Sequence, residues 1–203
     1  MKANTIKIIG ICGKKESGKD TVGDYILSHY EGYTKLSFAG ALKDICKILY
    51  PLLTDDHLTD HVLKEKIEID TLQNQSPRMI MQRVGTDLFR KHYDENIWIR
   101  ILNDSIRRHI QENQCYKFVI TDVRFQNELD YILSTFEDAM MLNIQRETKS
   151  GVVDQHITEN GLLSCESMIT IENNGTLSEL YQKVDNVLNT TNKRQKNKKK
   201  LNK

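Results

Sequence analysis

No apolar run in these 203 residues is long enough to span a bilayer, and the N-terminus lacks the long apolar segment of a signal peptide. A membrane is therefore not expected as a partner. The four cysteines, Cys12, Cys46, Cys115 and Cys165, are scattered without paired spacing. Nothing in that pattern resembles a zinc site or a disulfide framework, and it points to a reducing, cytosol-like compartment. Charge of one sign is lacking as well. Lys plus Arg number 29 and Asp plus Glu 28, so a net charge of +1 makes no case for a nucleic-acid partner. The balance is uneven, because Asn189 to Lys203 holds seven basic residues and no acid. Internal repeats are absent.

What is present is an alternation of short apolar runs with helical patterns. Ile6 to Cys12 (IKIIGIC) is almost wholly apolar, as suits a strand buried on both faces of a parallel sheet. A glycine loop follows, and then Thr21 to Tyr30, with Val22, Tyr25, Ile26 and Tyr30 at helical spacing. Tyr33 to Phe38, Tyr116 to Ile120, Ala139 to Ile144 and Met168 to Ile171 read as further strands. Ala41 to Leu49, a segment opened by Pro77 and carrying Met79, Ile80, Val84 and Leu88, Asn96 to Ile110, Glu128 to Phe136 and Leu177 to Leu188 read as helices. Thr54 to Gln75 is polar and is expected to be irregular. The Lys- and Asn-rich tail after Asn189 is expected to be disordered, with binding to nucleic acid or an anionic surface, or a role as a targeting address, as the alternatives. The expectation is a three-layer α/β fold with a central parallel sheet in one domain of residues 1–190, with 191–203 outside it.

Gly13-Lys14-Lys15-Glu16-Ser17-Gly18-Lys19-Asp20-Thr21 fits G-x-x-x-x-G-K between a buried strand and a helix. The chemistry requires these residue types. Two glycines let the backbone curl so that successive N–H groups face phosphate oxygens, and the helix N-terminus adds partial positive charge. Lys19 can reach the β- and γ-phosphates. Asp20 stands where this pattern usually has Ser or Thr, so the hydroxyl that would ligate Mg²⁺ is displaced; Asp20, directly or through water, or Thr21 takes that role. A nucleotide such as ATP is the expected ligand. The loop alone does not distinguish a kinase from another nucleotide-binding protein.

The GKKESGKDT loop followed by VGDYI resembles the start of the deoxynucleoside monophosphate kinases of large bacteriophages and large DNA viruses. SFAGALK at Ser37 to Lys43, RMIMQRVGTDLFR at Arg78 to Arg90, NIWI at Asn96 to Ile99 and DVRFQNEL at Asp122 to Leu129 carry the same resemblance. QHITENG at Gln155 to Gly161 looks like that family's H-x-S-E segment, with Thr158 in place of serine. The likeness spans roughly residues 6–190. It implies a P-loop nucleoside-monophosphate-kinase-like fold with a helical acceptor-binding lobe over about 50–112 and a lid-like segment over 146–162. It also implies phosphoryl transfer from ATP, with Mg²⁺, to a deoxynucleoside 5′-monophosphate, a viral or phage source, action in the host cytoplasm, and a homodimer.

Site residues are expected accordingly. Asp122 ends a buried strand at the sheet's carboxyl edge, where an acid can orient Mg²⁺ or its water, or alternatively cap the next segment. Arg124 is expected to point at phosphates rather than pair with Asp122 or Glu128. Arg78 and Arg90 are expected on the acceptor phosphate, with Gln82 on the base or sugar. On an ideal α-helix Arg83 and Arg90 would share a face. Trp98 could stack on a base or belong to the core. Arg146 is expected to stabilise the transferring charge, and His156 and Glu159 to line the acceptor or lid side. No general base is named, because such transfer rests on positioning and charge compensation. A kinase of another phosphorylated small molecule, resembling phosphomevalonate or dephospho-coenzyme A kinases, is the alternative enzyme. A nucleotide-dependent switch is the alternative outside that class, although no guanine-reading N-K-x-D motif is present.

Overall fold

In the computed structural model, Ile8, Ile9 and Ile11 are wholly inaccessible to solvent, and so are Phe118, Val119 and Ile120. These two runs are the adjacent central strands of a five-stranded sheet. The structure describes residues 5–60, 62–66, 74–147 and 165–201, with the backbone alone from 192 onward. In chain order the strands are β1 (Lys7–Cys12), β2 (Tyr33–Leu36), β3 (Lys117–Ile120), β4 (Asp138–Gln145) and β5 (Met168–Glu172). The helices are α1 (Lys19–His29), α2 (Gly40–Leu49), α3 (Asp55–Thr59), α4 (Pro77–Gln82), α5 (Ile97–Asn113), α6 (Gln126–Thr135) and α7 (Leu177–Leu201). A 3₁₀ turn spans Leu63–Glu65, and a π-helix spans Arg83–Arg90.

The sheet order is β2-β3-β1-β4-β5. β1 runs parallel to both β3 and β4, and β4 parallel to β5, with Gly10 opposite Ile120 on one side and Met141 on the other. Parallel pairing places the carboxyl ends of β1, β3 and β4 at one edge, which is where α/β sheets bind ligands. The loops that begin at Gly13, Thr121 and Arg146 all leave from that edge.

Two compact units divide the chain: residues Met1–Lys35 with Cys115–Lys203, and residues Leu36–Gln114. The first is built on the sheet. Ile9, Ile11, Val22, Ile26, Val119, Leu142, Ile144 and Val184 form its main core. Helix α7 is held to α1 by more than apolar contact, since Asp185 accepts hydrogen bonds from the hydroxyls of Tyr25 (2.9 Å) and Tyr30 (2.7 Å). In the second unit Leu42, Cys46, Ile80, Val84, Trp98, Leu102 and Ile106 are buried.

Several expectations are corrected. The tail after Asn189 continues α7 to Leu201 instead of leaving it. Lys, Arg and Gln are good helix formers, no Gly or Pro intervenes, and the preceding turns already supply the costly nucleus. Thr54 to Gln75 is not wholly irregular. Thr54 caps α3 by accepting the His57 N–H, and Asp60 holds the N–H groups of Val62 and Leu63. The segment opened by Pro77 buries Ile80 and Val84 but exposes Met79 and Leu88, and Leu88 leaves the Ile80–Val84 face because the chain winds as α only to Gln82 and as π thereafter.

Candidate functional site

The phosphate loop follows from three backbone conformations that its sequence permits. Gly13 has φ 149°, Glu16 φ 61° and Gly18 φ 97°. A Cβ on Gly13 would strike the Ile144 carbonyl and the Ser17 hydroxyl, and one on Gly18 would lie 2.5 Å from Asn173 Nδ2. Both positions therefore need glycine for space as well as for conformation. The Ser17 N–H donates to the Lys14 carbonyl at 3.2 Å, closing the loop, and α1 starts directly behind it with Val22 N–H donating to Gly18 O. The curl and the helix start together make a concave set of backbone donors.

Two side chains show what this concavity lacks. Ser17 is 1 % exposed, and its hydroxyl has no hydrogen-bond partner among the described residues. A buried hydroxyl without a partner is costly, so an arriving anion is favoured there. Lys19 Nζ donates to the Lys14 carbonyl at 3.2 Å, so the loop's cation arches over the loop it belongs to. Lys14 is exposed, Asp20 is exposed on the first turn of α1, and Thr21 beside it is half-buried.

The other edge loops converge on the same place. Val123 N–H donates to Ile11 O at 3.3 Å, tying the end of β3 to that of β1. Gly23 of α1 lies against the Thr121 methyl group, leaving no room for a Cβ. Asp122 and Arg124, both half-buried, thus leave from the edge that carries the phosphate loop. The N-cap position of α6 is Phe125. The turn ahead of that helix is held by Glu128, which is 2 % exposed and accepts the N–H groups of Arg124 (2.8 Å) and Phe125 (3.1 Å). Glu128 organises the Asp122–Phe125 turn through its backbone, a role that sequence reasoning missed. Its signal was a Glu three residues after the last non-helical position.

A cavity of about 410 Å³ opens beside the loop, and Cys12, Gly13, Lys14, Asn143, Arg146 and Asn174 are among the residues lining it. Arg146, at the end of β4, is exposed and faces the same space as Gly13 and Lys14. Cys12 is buried, and desolvation pushes its thiol up to about 11 against the weaker pull of Lys19. It is an uncharged wall, as its apolar run predicted.

The acceptor candidates lie in the second unit. Arg78 Nε donates to Glu65 Oε1 at 2.7 Å, and Arg83 reaches Gln75 at 2.8 Å. Arg90 is 7 % exposed whereas Arg83 is exposed, so the two do not share a face. Seven residues complete about two turns of α-helix, but the i→i+5 bonding of this segment, with Lys91 N–H donating to Thr86 O, widens each turn. Gln82 is half-buried at the α–π junction. Trp98 is core rather than a stacking platform. It is 4 % exposed, packs on Phe89, and donates its indole N–H to Gly85 O at 3.1 Å. His156, Glu159 and most of the lid-like segment lie outside the described residues.

A curled glycine loop at a helix N-terminus, on the carboxyl edge of a parallel sheet and with a lysine arched over it, defines a P-loop phosphate-binding α/β protein. The family model for deoxynucleotide monophosphate kinase matches residues 54–184. A protein of Acanthamoeba polyphaga mimivirus assigned as a deoxynucleotide monophosphate kinase is 32 % identical over 187 residues, covering 87 % of this chain and 93 % of the relative. The deoxynucleotide monophosphate kinase of Enterobacteria phage T4 is 25 % identical over 243 residues, covering 90 % of this chain and 99 % of its own length. Among solved structures, a sugar kinase from Janibacter sp. HTCC2649 superposes with TM-score 0.49 and 11 % identity over 92 % of this chain and 95 % of that one. The chain belongs to the deoxynucleotide monophosphate kinase family and is an enzyme of the transferase class. Among the described residues no helix is long and apolar enough to cross a membrane.

Proposed function

We propose that this enzyme transfers the γ-phosphoryl group of ATP to a deoxynucleoside 5′-monophosphate, giving ADP and the deoxynucleoside diphosphate. The observation that carries the donor half is the buried, partnerless Ser17 hydroxyl within a loop whose backbone donors are already curled. The loop is preorganised for phosphate oxygens and leaves one polar group to be satisfied by them. Lys19 would exchange the neutral Lys14 carbonyl for a phosphate oxygen, a stronger charge-assisted partner. Arg146, facing the cavity beside Gly13 and Lys14, suits the charge that spreads over the transferring group.

The donor set fits Mg²⁺ without a dedicated cage. Asp20, Thr21 and Asp122 offer hard oxygen ligands, and no group of three or more acidic, His or Cys side chains gathers into a metal cluster among the described residues. Mg²⁺ keeps several waters and binds through one or two carboxylates together with the nucleotide's phosphates. When bound it would neutralise charge between the β- and γ-phosphates. Arg90 and Arg78, on one continuous helical run, are the acceptor-side cations, with Gln82 between them in sequence.

A coupled ADP-release assay with ATP and Mg²⁺ tests this against dTMP, dGMP, dCMP and dAMP, their ribo counterparts, and phosphomevalonate. Strong stimulation by at least one deoxynucleotide is expected. A panel flat for all nucleotides, with ATP still bound, would overturn the acceptor assignment and leave the phosphate loop standing.

A further inference from the structure

The loop between β5 and α7 reads Glu172-Asn173-Asn174-Gly175, and its two asparagines reach in different directions. Asn173 continues the β4–β5 ladder by one residue, its N–H donating to Gln145 O at 2.7 Å. Its side chain, in a residue only 9 % exposed, turns to the phosphate loop and donates from Nδ2 to the Ser17 carbonyl at 2.8 Å. Asn174 lines the cavity, and its Oδ1 accepts the Glu147 N–H at 2.9 Å, directly after Arg146. One turn therefore binds both the phosphate loop and the strand end that carries Arg146.

We propose that Asn173 is a positioning residue for the phosphate loop, with Asn174 holding the Arg146 side in register with it. The argument rests on peptide geometry. In a trans peptide the C=O and the following N–H point in opposite directions. Fixing the Ser17 carbonyl on Asn173 therefore aims the Gly18 N–H away from β5. Gly18 stands at φ 97° as the residue before α1, so its N–H belongs to the set that the loop presents. Without the amide clamp the Ser17–Gly18 peptide plane is free to rotate, and it carries one phosphate donor with it. Gly18 also has to lack a Cβ for the clamp to fit, since the added carbon would lie 2.5 Å from Nδ2. A buried carbonyl left without its donor adds a desolvation cost that favours such a rotation. This inference deepens the donor half of the proposed reaction and rests on that reading for its consequence in turnover, but not for the clamp itself.

The test uses full-length Asn173→Ala and Asn173→Asp, with Val184→Ala as a control that destabilises α7 from within the core, away from the loop. Amide hydrogen exchange on the ligand-free proteins follows the Ser17 and Val22 N–H groups, which bond to Lys14 and Gly18 carbonyls. Isothermal titration with ADP and Mg²⁺ gives affinity, and steady-state assays give the acceptor KM. Both Asn173 variants are expected to expose Ser17 and Val22 amides selectively, to bind ADP about tenfold more weakly, and to keep the acceptor KM. Val184→Ala is expected to raise exchange across α7 while changing ADP affinity less than twofold at an equal or larger loss of melting temperature. Wild-type exchange at Ser17 in Asn173→Ala, or an effect no larger than that of Val184→Ala, would overturn the proposal. If wild-type protein phosphorylates no deoxynucleotide, the proposed reaction falls, and the exchange comparison still decides the clamp.

Discussion

Replacing Glu128 tests how a structural carboxylate holds the Asp122–Phe125 turn at the sheet's carboxyl edge. Its Oε2 accepts two backbone N–H groups, from Arg124 at 2.8 Å and Phe125 at 3.1 Å, in a residue only 2 % exposed. Hydrogen bonds to a charged acceptor contribute about 1.5–3 kcal/mol each, with stranded buried donors costing on the same order. Arg124 and Phe125 are half-buried, so water recovers part of that loss. Glu128→Ala should therefore cost about 2–4 kcal/mol. At about 2–4 °C per kcal/mol for a chain of this size, the melting temperature should fall by roughly 5–15 °C. Glu128→Gln keeps the shape and one acceptor oxygen and should lose about half as much. Thermal unfolding by circular dichroism, repeated in urea at constant m-value, reads the stability. Turnover measured well below the new midpoint should still be depressed in Glu128→Ala, because Asp122 and Arg124 ride on the turn that Glu128 holds. A Glu128→Ala protein within 0.5 kcal/mol of wild type, or one with unchanged turnover, would refute this account of the β3–α6 connection.

Lys19→Ala should abolish phosphoryl transfer while leaving the circular dichroism spectrum and melting temperature near those of the parent; wild-type-like turnover would remove the phosphate-loop argument. Arg90→Ala should raise the acceptor KM at least tenfold more than the KM for ATP, and an unchanged acceptor KM in steady-state assays would move the monophosphate site elsewhere. Trp98→Phe keeps the ring but strands the Gly85 carbonyl, so it should cost about 1–3 kcal/mol in denaturant unfolding; a base-stacking role would instead raise acceptor KM at unchanged stability. Burial pushes the Cys12 and Cys46 thiols up to about 11, so the folded protein holds them protonated where the unfolded chain begins to ionise. The stability this gives is complete below about pH 9 and is lost as pH rises from 9 towards 11, by up to about 2–3 kcal/mol per thiol. Urea midpoints across that range check it, and Cys12→Ser should shrink the alkaline loss.

The curl of the Gly13–Gly18 loop was legible because its determinants are local. A buried strand, two glycines, a lysine and a helix lie within 24 consecutive residues, Ile6 to His29, and their order dictates the loop's geometry. The sheet followed from apolar runs that only a doubly covered parallel sheet accommodates. What sequence could not deliver is contact across long separations. Asn173 reaches Ser17 across 156 residues, and nothing in the letters N-N-G names its partner. Trp98 was left open between base and core by the sequence, and the deciding contact is with a carbonyl thirteen residues earlier. The tail was read from composition alone, and composition does not register that a helix already under way propagates cheaply through Lys and Gln.

The Arg83–Arg90 segment shows why acceptor-side geometry resists a periodicity argument. An α-helix would present Arg83 and Arg90 together, and either could then serve as a surface cation. The π-winding buries Val84, Gly85 and Thr86 in succession and takes Arg90 inside while leaving Arg83 out. Such winding is rare because its hydrogen bonds leave misaligned groups to satisfy. Here Trp98 supplies a donor to Gly85 O, and the missing Cβ of Gly85 admits the Leu42 side chain, which would stand 2.6 Å from that atom. The wide turn is therefore held from outside by residues of α2 and α5. Burial holds the Arg90 side chain in place, and π-turns concentrate at functional sites. Under the proposed reaction Arg90 is preorganised for a phosphate dianion, and the Trp98 indole, through Gly85 O, maintains the backbone that places it.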